Sequence, residues 1–436
     1  MALAIVLGSW LPGTGRAQEP ETSALGPRLS LETVVARTLA YSPGVIGAAG
    51  TVRDAAAARR VALGAYLPSL SLTSSAGWSD QGSATVTPGL TQTSALSSYG
   101  AGLAAALDVF TGGRRGAQRS QAEWISQAAD AGLVLQRYGT ILVAKQGYYD
   151  VIRAHELVRV AIESVAQAEL GLGYARDRQH AGTATRADVL LAQLALSTAQ
   201  RQQLAARDTL SMTSAALGRL VGANEPVDVD SLAIPQPAPL VLSDSGILMR
   251  APTAAPAVMT TQALANAGAA GVRASKSLYL PTISLGAGYN WTNQSSLTGS
   301  LRSGWVVGFT TSFPVFNGFL REASVTQAEV AADVATATSA DTKRLARAEA
   351  QRLLGSLHVA EQGITLTGEA VRLATEDLRI IQARYRAGIA TILDVLTSQG
   401  ALIQAELDRV SAQFHYQLAR ASLEALLGRD LAAPQP

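Results

Sequence analysis

Apolar and polar residues alternate strictly along four stretches of this chain. From Thr282 to Trp291 the apolar residues Ile283, Leu285, Ala287, Tyr289 and Trp291 take the odd positions, and small or polar residues take the even ones. Trp305, Val307, Phe309 and Phe313 line one face of the next stretch; Val306, Gly308, Thr310 and Ser312 line the other. The first half of the chain has the same pattern, in Leu70 and Leu72 and then in Tyr99, Ala101, Leu103, Ala105 and Leu107. A two-residue period puts successive side chains on opposite faces of a strand. The pattern predicts two hairpins, at about 68–110 and 281–316, whose linking loops, Asp80–Leu96 and Asn293–Arg302, are rich in Ser, Thr, Gly and Asn.

After each hairpin the period changes. No proline interrupts 112–181 or 318–387, and apolar residues recur in alternating steps of four and three. Leu353, Leu357, Ala360, Ile364, Val371, Ala374, Leu378, Ile381 and Tyr385 form one seam, with Thr367 at one of its positions. Val151, Ala154, Val158, Ala161, Val165, Ala168, Leu172 and Ala175 form the other. A pattern this long predicts coiled-coil helices of roughly 100 Å at 1.5 Å rise per residue.

Both long helices are predicted to stop at a glycine, Gly182 and Gly388, suited to the left-handed position beyond a helix end. Three residues on, Thr185 and Thr391 cap returning helices over 185–222 and 391–428, and Asp188 and Asp394 complete Thr-x-x-Asp capping boxes. Each half therefore reads strand, strand, long helix, tight turn, shorter helix back.

The halves are copies. Gly-Thr-Ala-Thr-Arg-Ala-Asp-Val-Leu from Gly182 matches Gly-Ile-Ala-Thr-Ile-Leu-Asp-Val-Leu from Gly388, an offset of 206 residues that also carries Val109-Phe110 onto Val315-Phe316. Upstream the offset is 213, with Pro43 on Pro256 and Leu67-Pro68 on Leu280-Pro281. A period this long marks a duplicated half-protein rather than a solenoid of units of roughly 20–50 residues. The expected organisation is a first repeat over 18–222, a Pro-rich linker over 223–240, a second repeat over 241–428 and a short tail over 429–436, each half forming one structural unit.

Composition narrows the chemistry. With no cysteine among 436 residues, disulfides, thiolate metal sites and a lipidated N-terminal cysteine are excluded. A net charge of +2 without a basic block gives no footprint for nucleic acid. His155, His180, His358 and His415 share no metal-ligand spacing, and no phosphate loop, zinc motif or nucleophile elbow is present. No metal, no cofactor and no enzymatic activity are expected.

The apolar stretch Ala2–Leu11, followed by Gly15-Arg16-Ala17, reads as a signal peptide over 1–17. An alternating strand face suits either a soluble core or lipid. Export, strands near ten residues long, and the aromatics Tyr289, Trp291 and Trp305 near one hairpin end favour lipid. Four strands cannot close a membrane barrel, and open edges are not tolerated there, so several copies must assemble: two give eight strands and three give twelve.

Several motifs now stand in one order, twice: the Gly-x5-Asp-Val turns, the Leu-Pro entries to the first strands, and the exits Asp108-Val109-Phe110-Thr-Gly-Gly and Phe313-Pro314-Val315-Phe316-Asn-Gly. In these the chain resembles the TolC-type outer-membrane efflux proteins. The resemblance implies an α+β membrane protein: a homotrimer whose twelve-stranded outer-membrane β-barrel, four strands per chain, continues into a periplasmic α-helical coiled-coil barrel. It implies a passive exit duct from the periplasm or an inner-membrane transporter to the exterior, with a periplasmic adaptor docking at the turns. Gly182, Thr183, Gly388 and Ile389 match the docking turns, while Asp394, Asp188 and Tyr385 match residues of a periplasmic gate. The family's second gate aspartate is Thr397 here, and its tethering arginine is Ala390. A soluble periplasmic coiled-coil scaffold is the rival reading; it explains the helices but not the aromatic-bordered hairpins.

Overall fold

The computed structural model describes residues 26–79, 96–230, 237, 240–292 and 302–431. The expected signal peptide, most of both hairpin loops, most of the linker beyond Asp230 and the last five residues of the tail lie outside the described residues.

The elements run β1 (Arg28–Leu29), α1 (Leu31–Tyr41), α2 (Pro43–Gly64), β2 (Ser69–Ser79), β3 (Leu96–Phe110), α3 (Arg114–His180) and α4 (Arg186–Leu220). They continue with β4 (Asp228–Val229), α5 (Asp244–Ala254), α6 (Pro256–Lys276), β5 (Thr282–Thr292), β6 (Arg302–Ser312), α7 (Leu320–Arg386) and α8 (Ile392–Leu427). The two long helices have 67 residues each. The helix pairs ahead of each hairpin lie outside the strand and heptad patterns and were not predicted. Their starts are still written in the sequence: Pro43 and Pro256 each stand at the first helical position, where the missing N–H would have no partner anyway.

The chain folds into two compact units, and these do not coincide with the halves of the sequence. One contains the described residues to Thr38 together with 144–230 and 364–414; the other contains 39–143, 237–363 and 415–431. Each unit draws on both halves, so a single half is not a compact unit. The physical reason is that side-by-side helices pack on one another, and α3, α7 and α8 each contribute to both units.

In the second unit the four strands form one antiparallel sheet in the order β2-β3-β5-β6. β3 pairs with β5 across the halves, with Leu103 opposite Tyr289 and a bulge between Asp108 and Phe110. β2 and β6 are the edges. The apolar face of the alternation covers no core: Leu70, Leu72, Trp305 and Phe309 are all at least 70% exposed. Among the described residues no helix is long and apolar enough to cross a membrane.

In the first unit the seams predicted from the heptad pattern are the covered faces. Val151, Ala154, Ala168, Leu172 and Ala175 on α3 are buried, as are Leu378 and Tyr385 on α7. Part of the expected linker is a strand. β4 pairs in parallel with β1, and the side chain of its Asp228 accepts from the Val229 N–H at 2.9 Å and meets His155 Nε2 of α3 at 2.7 Å. Tyr148 donates its hydroxyl to Asp230 at 3.0 Å.

Candidate functional site

The two helical turns lie in the first unit and are built alike. Gly182 and Gly388 have φ of 72° and 80°, a conformation that costs other residues steric strain. Thr183 N donates to the Arg178 carbonyl at 2.9 Å and Gly182 N to that of Gln179 at 3.0 Å. Ile389 N donates to Arg384 at 2.9 Å and Gly388 N to Tyr385 at 3.1 Å. This is the double closure of a Schellman turn, which satisfies the last carbonyls of a helix.

Both returning helices begin with the anticipated box. Asp188 Oδ2 accepts from the Thr185 N–H at 2.7 Å and its hydroxyl at 2.9 Å, while Asp188 N donates to Thr185 Oγ1 at 3.3 Å. Asp394 repeats the arrangement with Thr391 at 2.7, 2.8 and 3.3 Å. The Thr391 backbone N–H and then its hydroxyl hold the Asp394 carboxyl below the usual aspartate range.

Between the turns stands a residue that sequence reasoning passed over. Arg178, in the last turn of α3, donates through Nη1 to the carbonyls of Tyr385 at 3.0 Å and Ala390 at 3.4 Å, and through Nη2 to that of Thr183 at 3.0 Å. Its guanidinium also lies 4.6 Å from the centroid of the Tyr385 ring. A second contact runs the other way, with Arg386 of α7 lying 4.9 Å from the ring of Tyr174 on α3. The position of Ala390, where an arginine was missed, is thus served through its carbonyl by an arginine of the opposite turn. An arginine one turn before a helix-ending glycine is the only sequence signal that pointed to it.

The Asp188–Tyr385 pair implied by the family resemblance is not joined within the chain. The Tyr385 hydroxyl is buried without a hydrogen-bond partner, and Asp188 Oδ2 is taken up by Thr185. Burial raises the Tyr385 pKa; the Asp188 charge adds to the rise and the Arg178 charge opposes it. Around Tyr385 a small core gathers Leu172, Ala175, Val189, Ala192, Ile392 and Val395.

Two large apolar side chains are exposed beside this core. Ile389 and Leu393 are 69% and 65% exposed beside the second turn. Further along, a cleft of about 510 Å³ is lined by Leu191, Leu194, Leu378, Leu396, Ile403 and Glu406 among others. Burial, and then the charge of Glu163, raises the Glu406 pKa. Arg159 reaches toward both glutamates, at 2.7 Å from Glu163 and 4.0 Å from Glu406. Among the described residues no group of His, Asp and Glu is arranged to hold a metal.

The profile of the family described as outer membrane efflux protein matches residues 34–223 and 248–429. The chain belongs to the outer membrane efflux protein family. Protein CyaE of Bordetella pertussis is 28% identical over 290 residues, which are 64% of this chain and 55% of CyaE, so the chain spans about half the length of that relative. The pyoverdine export outer membrane protein OpmQ of Pseudomonas aeruginosa is 26% identical over 86% of this chain and 80% of OpmQ. The crystal structure of the outer membrane protein VceC from Vibrio cholerae shares the fold, with a TM-score of 0.78 and 20% identity over 92% of this chain and 97% of VceC.

Proposed function

We propose that this protein is the outer-membrane exit duct of a tripartite efflux or secretion system. Its two halves are read as a duplicated unit, and three copies assemble a twelve-stranded barrel continued by a periplasmic tunnel of helices. The duct itself carries out no chemistry. It supplies a passage, held shut or open at the periplasmic turns, and an energised inner-membrane transporter with its adaptor does the work.

One observation carries this reading: a four-stranded sheet with two open edges and an exposed apolar face, in a chain of this family. Open edges are not tolerated in a bilayer, where each unpaired backbone group costs several kcal/mol. Pairing β6 of one copy with β2 of the next removes every edge at once. A soluble scaffold would leave Trp305 and Phe309 in water, so that reading has no support in the sheet.

At the turns, Asp394, Asp188, Tyr385 and Arg178 are proposed to form the gate, with Gly182, Thr183, Gly388 and Ile389 presenting the adaptor-docking surface. Exposed Ile389 and Leu393 support the docking role. The relatives' names do not settle the cargo; pyoverdine belongs to OpmQ. Detergent-extracted protein should elute as a trimer by light scattering and give unitary conductance steps in planar bilayers. A monodisperse, folded monomer that never conducts would end this reading.

A further inference from the structure

The four-stranded sheet has a polar face as well as an apolar one, and its rows run across all four strands. Thr73 stands opposite Gly102, Gly102 opposite Asn290, and Asn290 opposite Gly304. The two rows nearer the helices are built from Ser, Ala and Gly, with Val306 as the one larger member. Two residues of these strands carry charge, and both stand on this face. Asp108 lies at the end next to the helices, opposite Ser284, and Arg302 at the far end, opposite Thr292.

The two charges differ in their surroundings. Asp108 has a cation in reach, because Arg114 Nη2 lies 3.9 Å from its carboxylate. The pair is half-exposed, so it binds weakly, but the two fields largely cancel at a distance. Arg302 has no carboxylate within ion-pair distance among the described residues. It is the one uncompensated charge of the four strands. Its counterpart in the first half, 302 − 206 = 96, is Leu96, so each chain brings a single such arginine.

The strand period fixes where that arginine stands. Trp305, Val307 and Phe309 share the odd face of β6, whereas Arg302 shares the even face with Gly304 and Gly308. In the barrel the odd face meets lipid and the even face lines the passage. Twelve strands about 4.8 Å apart, tilted by about 40°, enclose a passage of about 12 Å radius measured to the backbone. Glycine, serine and alanine narrow it little, and an arginine is the longest side chain on this face. Three copies therefore direct three guanidinium groups toward one axis at the mouth farthest from the helices.

We propose that Arg302 sets the charge preference of the outer mouth of the barrel. The three guanidinium groups draw anionic solutes and oppose the re-entry of cationic ones from outside, while the neutral lining behind them exerts no selection by charge. The inference rests on the barrel reading above.

The chain has no cysteine, and a side chain added at Gly304 or at Gly308 would meet nothing within 4 Å. The full-length proteins Gly304→Cys and, separately, Gly308→Cys can therefore be reconstituted in phosphatidylcholine vesicles and modified with an anionic and a cationic methanethiosulfonate. Rates are expressed as the anionic-to-cationic ratio relative to a free thiol. For a unit charge about 7 Å away, that ratio at Gly304→Cys should be roughly five-fold at about 10 mM salt and about two-fold at about 150 mM. It should lie close to one at Gly308→Cys, two rows deeper, and return to one at Gly304→Cys when Arg302→Gln is added. A ratio of one at Gly304→Cys would overturn the proposal, as would a bias that survives Arg302→Gln. Val307→Cys tests the barrel separately, since lipid should protect it from both reagents. If Val307→Cys reacts as fast as Gly308→Cys, the barrel reading fails; if it is protected while Gly304→Cys shows no bias, only the role of Arg302 fails.

Discussion

Arg178 donates to the backbone carbonyl of Tyr385 at 3.0 Å while its guanidinium lies 4.6 Å from the centroid of the same residue's ring. One side chain of α3 thus holds both the backbone end and the side chain of α7, and a further bond to Thr183 ties it to its own turn.

Arg178→Ala should therefore loosen the turns more than any cap substitution. Charge-assisted hydrogen bonds contribute about 1.5–3 kcal/mol each and a partly exposed cation–π contact about 0.5–1 kcal/mol. The expected outcome is a higher open probability in planar bilayers, roughly ten-fold or more, with trimer assembly intact. Arg178→Lys should recover only part of the effect, because an ammonium lacks the planar fork that reaches several carbonyls at once. Wild-type gating in Arg178→Ala would remove Arg178 from the gate.

Asp394 separates capping from electrostatics. Asp394→Asn keeps a side chain that accepts a hydrogen bond but removes the charge. If the carboxylates gather around one axis in the trimer, this substitution should lower cation selectivity and weaken block by divalent cations. Unchanged selectivity would leave Asp394 as a helix cap alone. Thr391→Ala, by contrast, removes the cap and should cost about 1 kcal/mol. The pH dependence has a definite sign. Because the folded carboxyl titrates below its ordinary range, its contribution is present above about pH 4 and lost as pH falls below that. The protection factors of amides in the first turn of α8 should fall correspondingly in acid.

Glu406 should behave in the opposite way. Burial and Glu163 disfavour its charged form, so the folded state carries a penalty above its raised pKa that is absent where both states are protonated. Glu406→Gln should raise the thermal midpoint at pH 7.5, with the gain shrinking toward pH 4. A gain that is the same at both pH values would show that packing rather than charge is responsible.

The clasp at β1 and β4 depends on Asp228, whose side chain is only 7% exposed and bonds both His155 and the Val229 N–H. Asp228→Ala leaves these donors without their acceptor. Leaving a buried donor without its acceptor typically costs about 1–3 kcal/mol. Limited proteolysis should then cut the segment before α1 far faster than in the unmodified protein, while the β-sheet signal in circular dichroism stays unchanged.

Topology is testable by the same absence of cysteine. Thr85→Cys should label from outside whole cells, and Thr183→Cys only after the periplasm is opened. Equal labelling of both in intact cells would reverse or abolish the proposed orientation.

The alternation of β5 and β6, the seams of α3 and α7 and the paired glycine turns were all legible in the chain because each depends on neighbours a few residues apart. A strand's period, a heptad and a Thr-x-x-Asp box are local geometry, and Asp188 and Asp394 take the capping positions that their spacing implies. Of the helices ahead of the hairpins, α2 escaped because its Ala- and Gly-rich sequence carries little contrast between one face and the other. Arg178 escaped for a different reason: its partners Tyr385 and Ala390 lie 207 and 212 residues away, and their meeting depends on how α3 and α7 are rotated about their axes. The strand pattern alone also left open whether the apolar faces of β2 and β6 meet a core or lipid. Only the tertiary structure, by leaving Leu72 and Trp305 uncovered, showed that the described residues place no core there. Periodicity specifies which residues share a face, whereas what that face meets is set by contacts between residues far apart in the chain.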